Sequence, residues 1–136
     1  MESYGKLQKS YGRLREVTKG TMRLLRRRPA YEKLKFYQEI CEIRRRIYQT
    51  TERLVKSHVR LVSQMRDVAR SAKQNIQEGY RKGTIGDFIR SLKIAQGSLE
   101  ELAGDIEDCR EDGLMKEEEF TEFSKLFQSA DSGTLS

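Results

Sequence analysis

A chain of 136 residues with 36% apolar and 35% charged side chains suits one domain with a modest core. One Pro, no Trp and an abundance of Arg, Lys, Glu, Leu and Ile argue against a sandwich or a doubly wound sheet and for helices. The net charge of +6 hides an asymmetry: residues 1–90 hold 23 Lys and Arg against 9 Asp and Glu, whereas residues 91–136 hold 4 against 12.

Such an asymmetry points to a polyanionic partner for the first part, or to pairing of the acidic end with the basic part of the same or a neighbouring chain. No apolar run approaches the roughly 20 residues of a membrane span, and no signal peptide is visible. Cys41 and Cys109 have no disulfide or metal-ligand spacing and read as reduced thiols. The expectation is a soluble, cytoplasmic protein without cofactor or bound metal.

The N-terminal stretch carries a short repeat: Tyr4-Gly5-Lys6-Leu7 recurs as Tyr11-Gly12-Arg13-Leu14. Tyr4, Leu7, Tyr11 and Leu14 share one helical stripe. Gly5, Gly12 and Gly20 weaken that helix, each by up to ~1 kcal/mol relative to Ala. Residues 1–29 therefore read as a basic amphipathic extension that folds on a partner or on the body of the protein. It ends in Arg26-Arg27-Arg28-Pro29, with Pro29 suited to the first turn of the next helix.

The first long helix is predicted over 30–56. One apolar row is Leu34, Tyr37, Cys41, Tyr48, Thr51 and Val55; the next is Phe36, Ile40, Ile43, Ile47 and Leu54. A second helix is predicted over 59–78, with core row Val62, Met65, Ala69, Ala72 and Ile76. Arg66, Arg70 and Lys73 lie beside that row, and Gly79 is the expected left-handed C-cap. Thr84 is the expected N-cap of a third helix reaching Asp112, with Asp87 near its positive end. Ile85, Phe88, Ile89, Leu92, Ala95, Leu99, Leu102, Ile106 and Cys109 form its apolar steps. Gly97, Ser98 and Gly104 suggest close approach of another helix, and Gly113 ends it. A shorter helix over 116–128 carries Phe120, Phe123, Leu126 and Phe127, and residues 129–136 are expected to be a disordered tail. With no strand pattern, residues 30–128 read as an all-α, antiparallel four-helix bundle.

The basic clusters carry the strongest chemical signal. Arg23 and Arg26 to Arg28, Arg44 to Arg46, the Arg66, Arg70, Lys73 stripe and Arg81 are candidate nucleic-acid contacts. Guanidinium groups bind phosphate in a bidentate way and stack on bases. Tyr4, Tyr11 and Tyr80 lie near basic groups and suit stacking on unpaired bases. Phosphate contacts of this kind supply affinity without sequence readout. Asn75 and Glu78 read either as a functional pair or as residues that satisfy helix ends or hold neighbouring helices in register, and Gly97 and Ser98 read as packing residues rather than ligand contacts. Glu100, Glu101, Asp105 and Asp108 crowd one helix, as a cation site or as a solvated or ion-paired face. His58 has no nucleophile or carboxylate partner in view, and no catalytic set is present.

Gln64-Met65-Arg66, Ala69, Asn75-Ile76-Gln77-Glu78-Gly79, Arg81, Phe88 and Ile94-Ala95-Gln96-Gly97-Ser98-Leu99-Glu100-Glu101-Leu102 together resemble a known pattern. It is that of the 23S rRNA intervening-sequence proteins, which include relatives of the accessory variability protein of diversity-generating retroelements. Residues 31–47 also resemble the family's first helix. The family's first inter-helix turn usually carries a Pro and an acidic residue, where this chain has Leu54-Val55-Lys56-Ser57-His58-Val59.

The resemblance implies an up-down four-helix bundle that assembles as a five-fold ring, a homopentamer, with no catalytic chemistry. It further implies binding of RNA, or of RNA and DNA, and a reverse transcriptase as partner. The expected function is that of a non-enzymatic, ring-forming accessory protein that holds template RNA near the enzyme. The alternative is a protein-interaction or scaffold module whose basic and acidic faces pair between subunits or with a protein partner.

Overall fold

The computed structural model describes residues 30–135. The chain divides into two units, Met1–Glu32 and Lys33–Ser136. The expected basic extension, with Arg23, Arg26, Arg27 and Arg28, lies outside the described residues, as do Pro29, Tyr4 and Tyr11. A 3-10 turn over Ala30–Lys33 leads into four α-helices: α1 (Lys35–Thr51), α2 (Val59–Arg81), α3 (Ile85–Glu111) and α4 (Glu117–Leu135). A second 3-10 turn, Glu52–Leu54, follows α1. Among the described residues there is no strand, and the helices form a four-helix bundle.

Helix α1 is shorter than its periodicity suggests, at both ends. Leu34 is extended (φ −73°, ψ 133°), so the helix starts only after it. At the other end, Thr51 Oγ1 donates to the Ile47 carbonyl at 2.7 Å. The chain then tightens, with the Val55 N–H donating to the Glu52 carbonyl, a 3-10 pattern common at helix ends. The two apolar rows are not equivalent. Phe36, Ile40, Ile43, Ile47 and Leu54 are all buried. In the other row Tyr37 and Thr51 are buried, Cys41, Tyr48 and Val55 are half-buried, and Leu34 is exposed.

Helix α2 buries the expected row of Val62, Met65, Ala69, Ala72 and Ile76. Its end differs from expectation. Gly79 is not a left-handed cap: it is helical and buried, and α2 continues to Arg81. Gly83 is the left-handed residue, at φ +85°, and its N–H donates to the Tyr80 carbonyl at 3.2 Å. Gly79 instead lies against Ser91 of α3, where a Cβ would fall closer than 3.0 Å to the Ser91 side chain.

The start and stop of α3 agree with expectation. Thr84 Oγ1 accepts from the Asp87 N–H at 3.0 Å. At the C-terminus, Gly113 (φ +75°) and Leu114 donate to the carbonyls of Arg110 and Cys109, the Schellman pattern. The apolar steps divide: Ala95, Leu99, Leu102, Ile106 and Cys109 are buried, but Ile85 and Ile89 are exposed. Gly97 and Gly104 are exposed, and a Cβ at either would have no neighbour within 4 Å, so the close helix approach expected there occurs at Gly79 and Ser91 instead.

Helix α4 runs on to Leu135, past the expected end at Gln128. Residues 129–135 are therefore helical rather than a disordered tail. Ser129 Oγ donates to Glu39 Oε2 at 2.6 Å, and Ala130 is buried, which fastens this last stretch to the bundle. Among neighbours, α2 packs most extensively on α3, α1 packs on both α4 and α2, and the α3–α4 seam is the sparsest.

Candidate nucleic-acid interface

The seam between α1 and α2 collects the basic side chains. Arg44 sits one helical turn before Tyr48, which brings its guanidinium carbon over the Tyr48 ring, 4.8 Å from the centroid. Arg66 of α2 reaches the same ring, at 4.6 Å. Its Nε donates to Thr51 Oγ1 at 3.0 Å, and one terminal nitrogen donates to the Tyr48 carbonyl (3.1 Å) and to Glu52 (3.2 Å). Arg66 thus spends several of its five donors on holding α2 to the end of α1.

Further along the α2 stripe the cations turn outward. Arg70 pairs with Asp67 of its own helix at 3.0 Å, and its side chain stays half exposed. Such an exposed pair costs little to exchange for phosphate. Lys73 is half-buried and Arg81 exposed, and neither forms an ion pair among the described residues. Gln77 completes the stripe by donating to the Tyr37 hydroxyl at 3.0 Å. The interface geometry is therefore exposed Arg70 and Arg81 and half-buried Lys73, beside a base in which Arg44 and Arg66 share the Tyr48 ring.

The run Arg44 to Arg46 does not act as one patch. Arg45 pairs with Glu42, and Arg46 bridges Glu42 and Glu122 of α4. The hydrogen bond from Arg45, followed by that from Arg46, holds the Glu42 carboxyl below its ordinary range despite partial burial. Arg53 makes the matching link at the other end of α1. It donates to both Glu119 oxygens, at 2.9 and 2.6 Å, and to the Leu114 carbonyl at 3.1 Å. That bidentate bond lowers the Glu119 pKa. Part of the basic surplus of the first 90 residues is thus matched by acidic residues of the last 46.

Three features were not legible in the sequence: Tyr48 as the ring under two guanidinium groups, Arg53 as a tie to α4, and the contact of Gly79 with Ser91. Only the four-residue spacing of Arg44 and Tyr48 was available locally; the other partners are far apart in the chain. Tyr80, a candidate for base stacking, is partly exposed and packs edge-on against Phe88, with ring centroids 6.0 Å apart.

A family model described as 23S rRNA-intervening sequence protein matches residues 32–132, spanning all four helices. The chain belongs to the 23S rRNA-intervening sequence protein family. No curated protein and no solved structure matches it.

In this family member the motif residues differ in their surroundings. Asn75 Nδ2 donates to the Ser71 carbonyl at 2.8 Å and to Ser71 Oγ at 3.2 Å, which keeps it within its own helix. Glu78 is exposed at the α2 end, beside buried Gly79. Both line a shallow cleft with Asp87, Arg90 and Ser91. Gly97 is exposed and Ser98 half-buried, away from that cleft.

The carboxylates of α3 do not converge. Asp105 accepts from Gln64 Nε2 at 3.1 Å, and burial raises its pKa in spite of that bond. Among the described residues no group of three or more His, Cys, Asp and Glu is placed to hold a metal ion. None of the described helices is long and apolar enough to cross a membrane.

Proposed function

We propose that this member of the 23S rRNA-intervening sequence protein family is a non-enzymatic protein that binds RNA, or RNA and DNA, through the α1–α2 seam. The observation that carries the reading is the set of cations along it: exposed Arg70 and Arg81 and half-buried Lys73 lie beside a stack of Arg44 and Arg66 on Tyr48, in which Arg66 is held by three hydrogen bonds. A hydrogen-bonded base with solvent-accessible cations beside it suits phosphate contacts, which position a nucleic acid without reading its sequence. The same reading takes the bundle as up-down and antiparallel, supported by the pairing of Met65 with Cys109 and of Gly79 with Ser91. It takes the assembly as a homopentameric ring, in which the seam is repeated into a positive belt. A reverse transcriptase of a diversity-generating retroelement is the proposed partner enzyme, and the cytoplasm the proposed location.

Fluorescence anisotropy with a structured RNA and a duplex DNA, across a salt series, tests the binding. Log affinity is expected to fall with log salt by about 0.9 per duplex phosphate contact, or about 0.7 per single-strand contact. Replacing Arg70 and Lys73 by Ser should make that slope shallower by one to two contacts. Absence of salt-sensitive binding at low salt would overturn the proposal.

One observation favours a second reading, a protein-interaction or scaffold module. Arg46–Glu122, Arg53–Glu119 and Arg110–Glu117 already pair basic with acidic residues inside this chain. A protein partner retained from a nuclease-treated lysate, with no nucleic-acid binding, would support it over the first.

A further inference from the structure

The α3–α4 seam, the sparsest of those between neighbouring helices, carries a groove along part of its length. Two adjoining clefts, of about 270 and 220 Å³, share Ala103, Phe127 and Gln128. The floor is apolar, built from Leu99 and Ile106 of α3 and Phe123 and Phe127 of α4. On α3 the lining runs from Gln96 to Glu107, about three turns or ~16 Å of helix. Ala103 stands at its centre, where a methyl group leaves room for a larger side chain from outside.

The rim decides what fits. Glu100, Glu107 and Asp131 line the groove, and no lining residue is basic. A carboxylate rim repels phosphate, so this face does not serve a nucleic acid. An apolar strip of three turns between carboxylates matches a helix with one apolar stripe and cationic flanks. The chain itself shows the chemistry at one end of the groove. There the Arg110 guanidinium lies over the Phe120 ring at 4.5 Å and pairs with Glu117 at 3.1 Å.

We propose that the α3–α4 groove docks a cationic amphipathic helix of a protein partner, with an apolar side chain over Ala103 and Lys or Arg against Glu100, Glu107 and Asp131. The proposal uses the face formed by α3 and α4 and stands independently of nucleic-acid binding by α1 and α2.

The test uses the full chain and a labelled synthetic peptide of Leu and Lys in a 3-4 helical pattern. A control peptide has the same composition with its leucines scattered around the helix. The patterned peptide should bind at least tenfold more tightly than the control. Ala103→Trp, which fills the groove, and the paired changes Glu100→Lys and Asp131→Lys, at exposed positions that leave the core intact, should each weaken it at least tenfold. Circular dichroism verifies that each variant is folded. Equal binding of the two peptides, or binding unchanged in both variants, would overturn the proposal. Displacement by a peptide of residues 1–28 alone, with no binding of the patterned peptide, would assign the groove to the chain's own N-terminal segment. A loss of self-association in Ala103→Trp would assign it to contact between copies. Either result rejects the external helix.

Discussion

Gly79→Ala isolates the close approach of α2 and α3. Alanine is the better helix former by about 1 kcal/mol, so at an unobstructed helical position the change would stabilise. Here the new Cβ would fall closer than 3.0 Å to Ser91 Cβ and Oγ and 3.2 Å from the Asp87 carbonyl oxygen. Ser91 Cβ is joined directly to the backbone and has no flexible end to withdraw, so the helices must separate. Overpacking costs about 1–3 kcal/mol, and contacts this short belong to the upper part of that range, so after the propensity gain of about 1 kcal/mol a net loss of up to roughly 2 kcal/mol remains. For a bundle of this size that is a fall in Tm of several degrees.

The sharper form of the experiment is a double-mutant cycle with Ser91→Gly. Ser91→Gly alone loses the hydrogen bond from Ser91 Oγ to the Phe88 carbonyl, 2.6 Å long, and is itself destabilising by about 1 kcal/mol. In that background the two shortest contacts of the methyl group introduced at position 79 are gone and the Asp87 carbonyl remains at 3.2 Å, so Gly79→Ala should change sign and stabilise by up to ~1 kcal/mol. Urea unfolding followed by far-ultraviolet circular dichroism measures all four proteins, with a shared slope confirming that stability alone has changed. Gly79→Ala with wild-type stability, or with the same sign in both backgrounds, would refute the reasoning.

Asp105→Asn should stabilise the fold near neutrality, because burial raises the folded-state pKa and so makes the ionised form costly, while Asn can still accept from Gln64. That advantage should shrink as pH falls through the raised pKa, and an unfolding series against pH reads it. Glu42 and Glu119 carry the opposite sign: their folded pKa values are lowered by Arg45 and Arg53, so their contribution is present above the unfolded carboxylate pKa and is lost as pH falls through the lowered values. Arg53→Ala should therefore flatten the acid limb of the stability profile. Thr84→Ala removes the side-chain acceptor for the Asp87 N–H and should cost about 1 kcal/mol in thermal unfolding. Cys109, buried against the Met65 sulfur and with its thiol pKa raised by burial, should resist an aromatic disulfide reagent until denaturant is added, whereas half-buried Cys41 reacts in the native protein. Mass spectrometry of the labelled chain separates the two sites.

Local rules read the scaffold well. The core row of α2, the Thr84 cap and the Gly113 stop all follow from spacing of 3.6 residues and from groups left unpaired at helix ends, and all are present. The same rules misplaced Gly79. A glycine near the end of an apolar pattern suggests a left-handed cap, but the close approach of Ser91 gives it another role and leaves the cap to Gly83. Gly97 and Gly104 show the converse, since small residues suggested close packing where none exists.

The candidate interface was legible as charge and not as geometry. Sequence by itself determined that the chain is helical, that its basic residues gather in the first 90 positions, and that Arg66, Arg70 and Lys73 share one side of α2. It did so because periodicity and charge count are properties of neighbours along the chain. Only the tertiary structure decided which cations remain available. Arg45, Arg46 and Arg53 are taken up by glutamates, two of those links crossing to Glu119 and Glu122 of α4, while Arg44 and Arg66 meet over Tyr48. An ion pair depends on distances of a few ångströms through space, and those distances are set by which helix faces pack together.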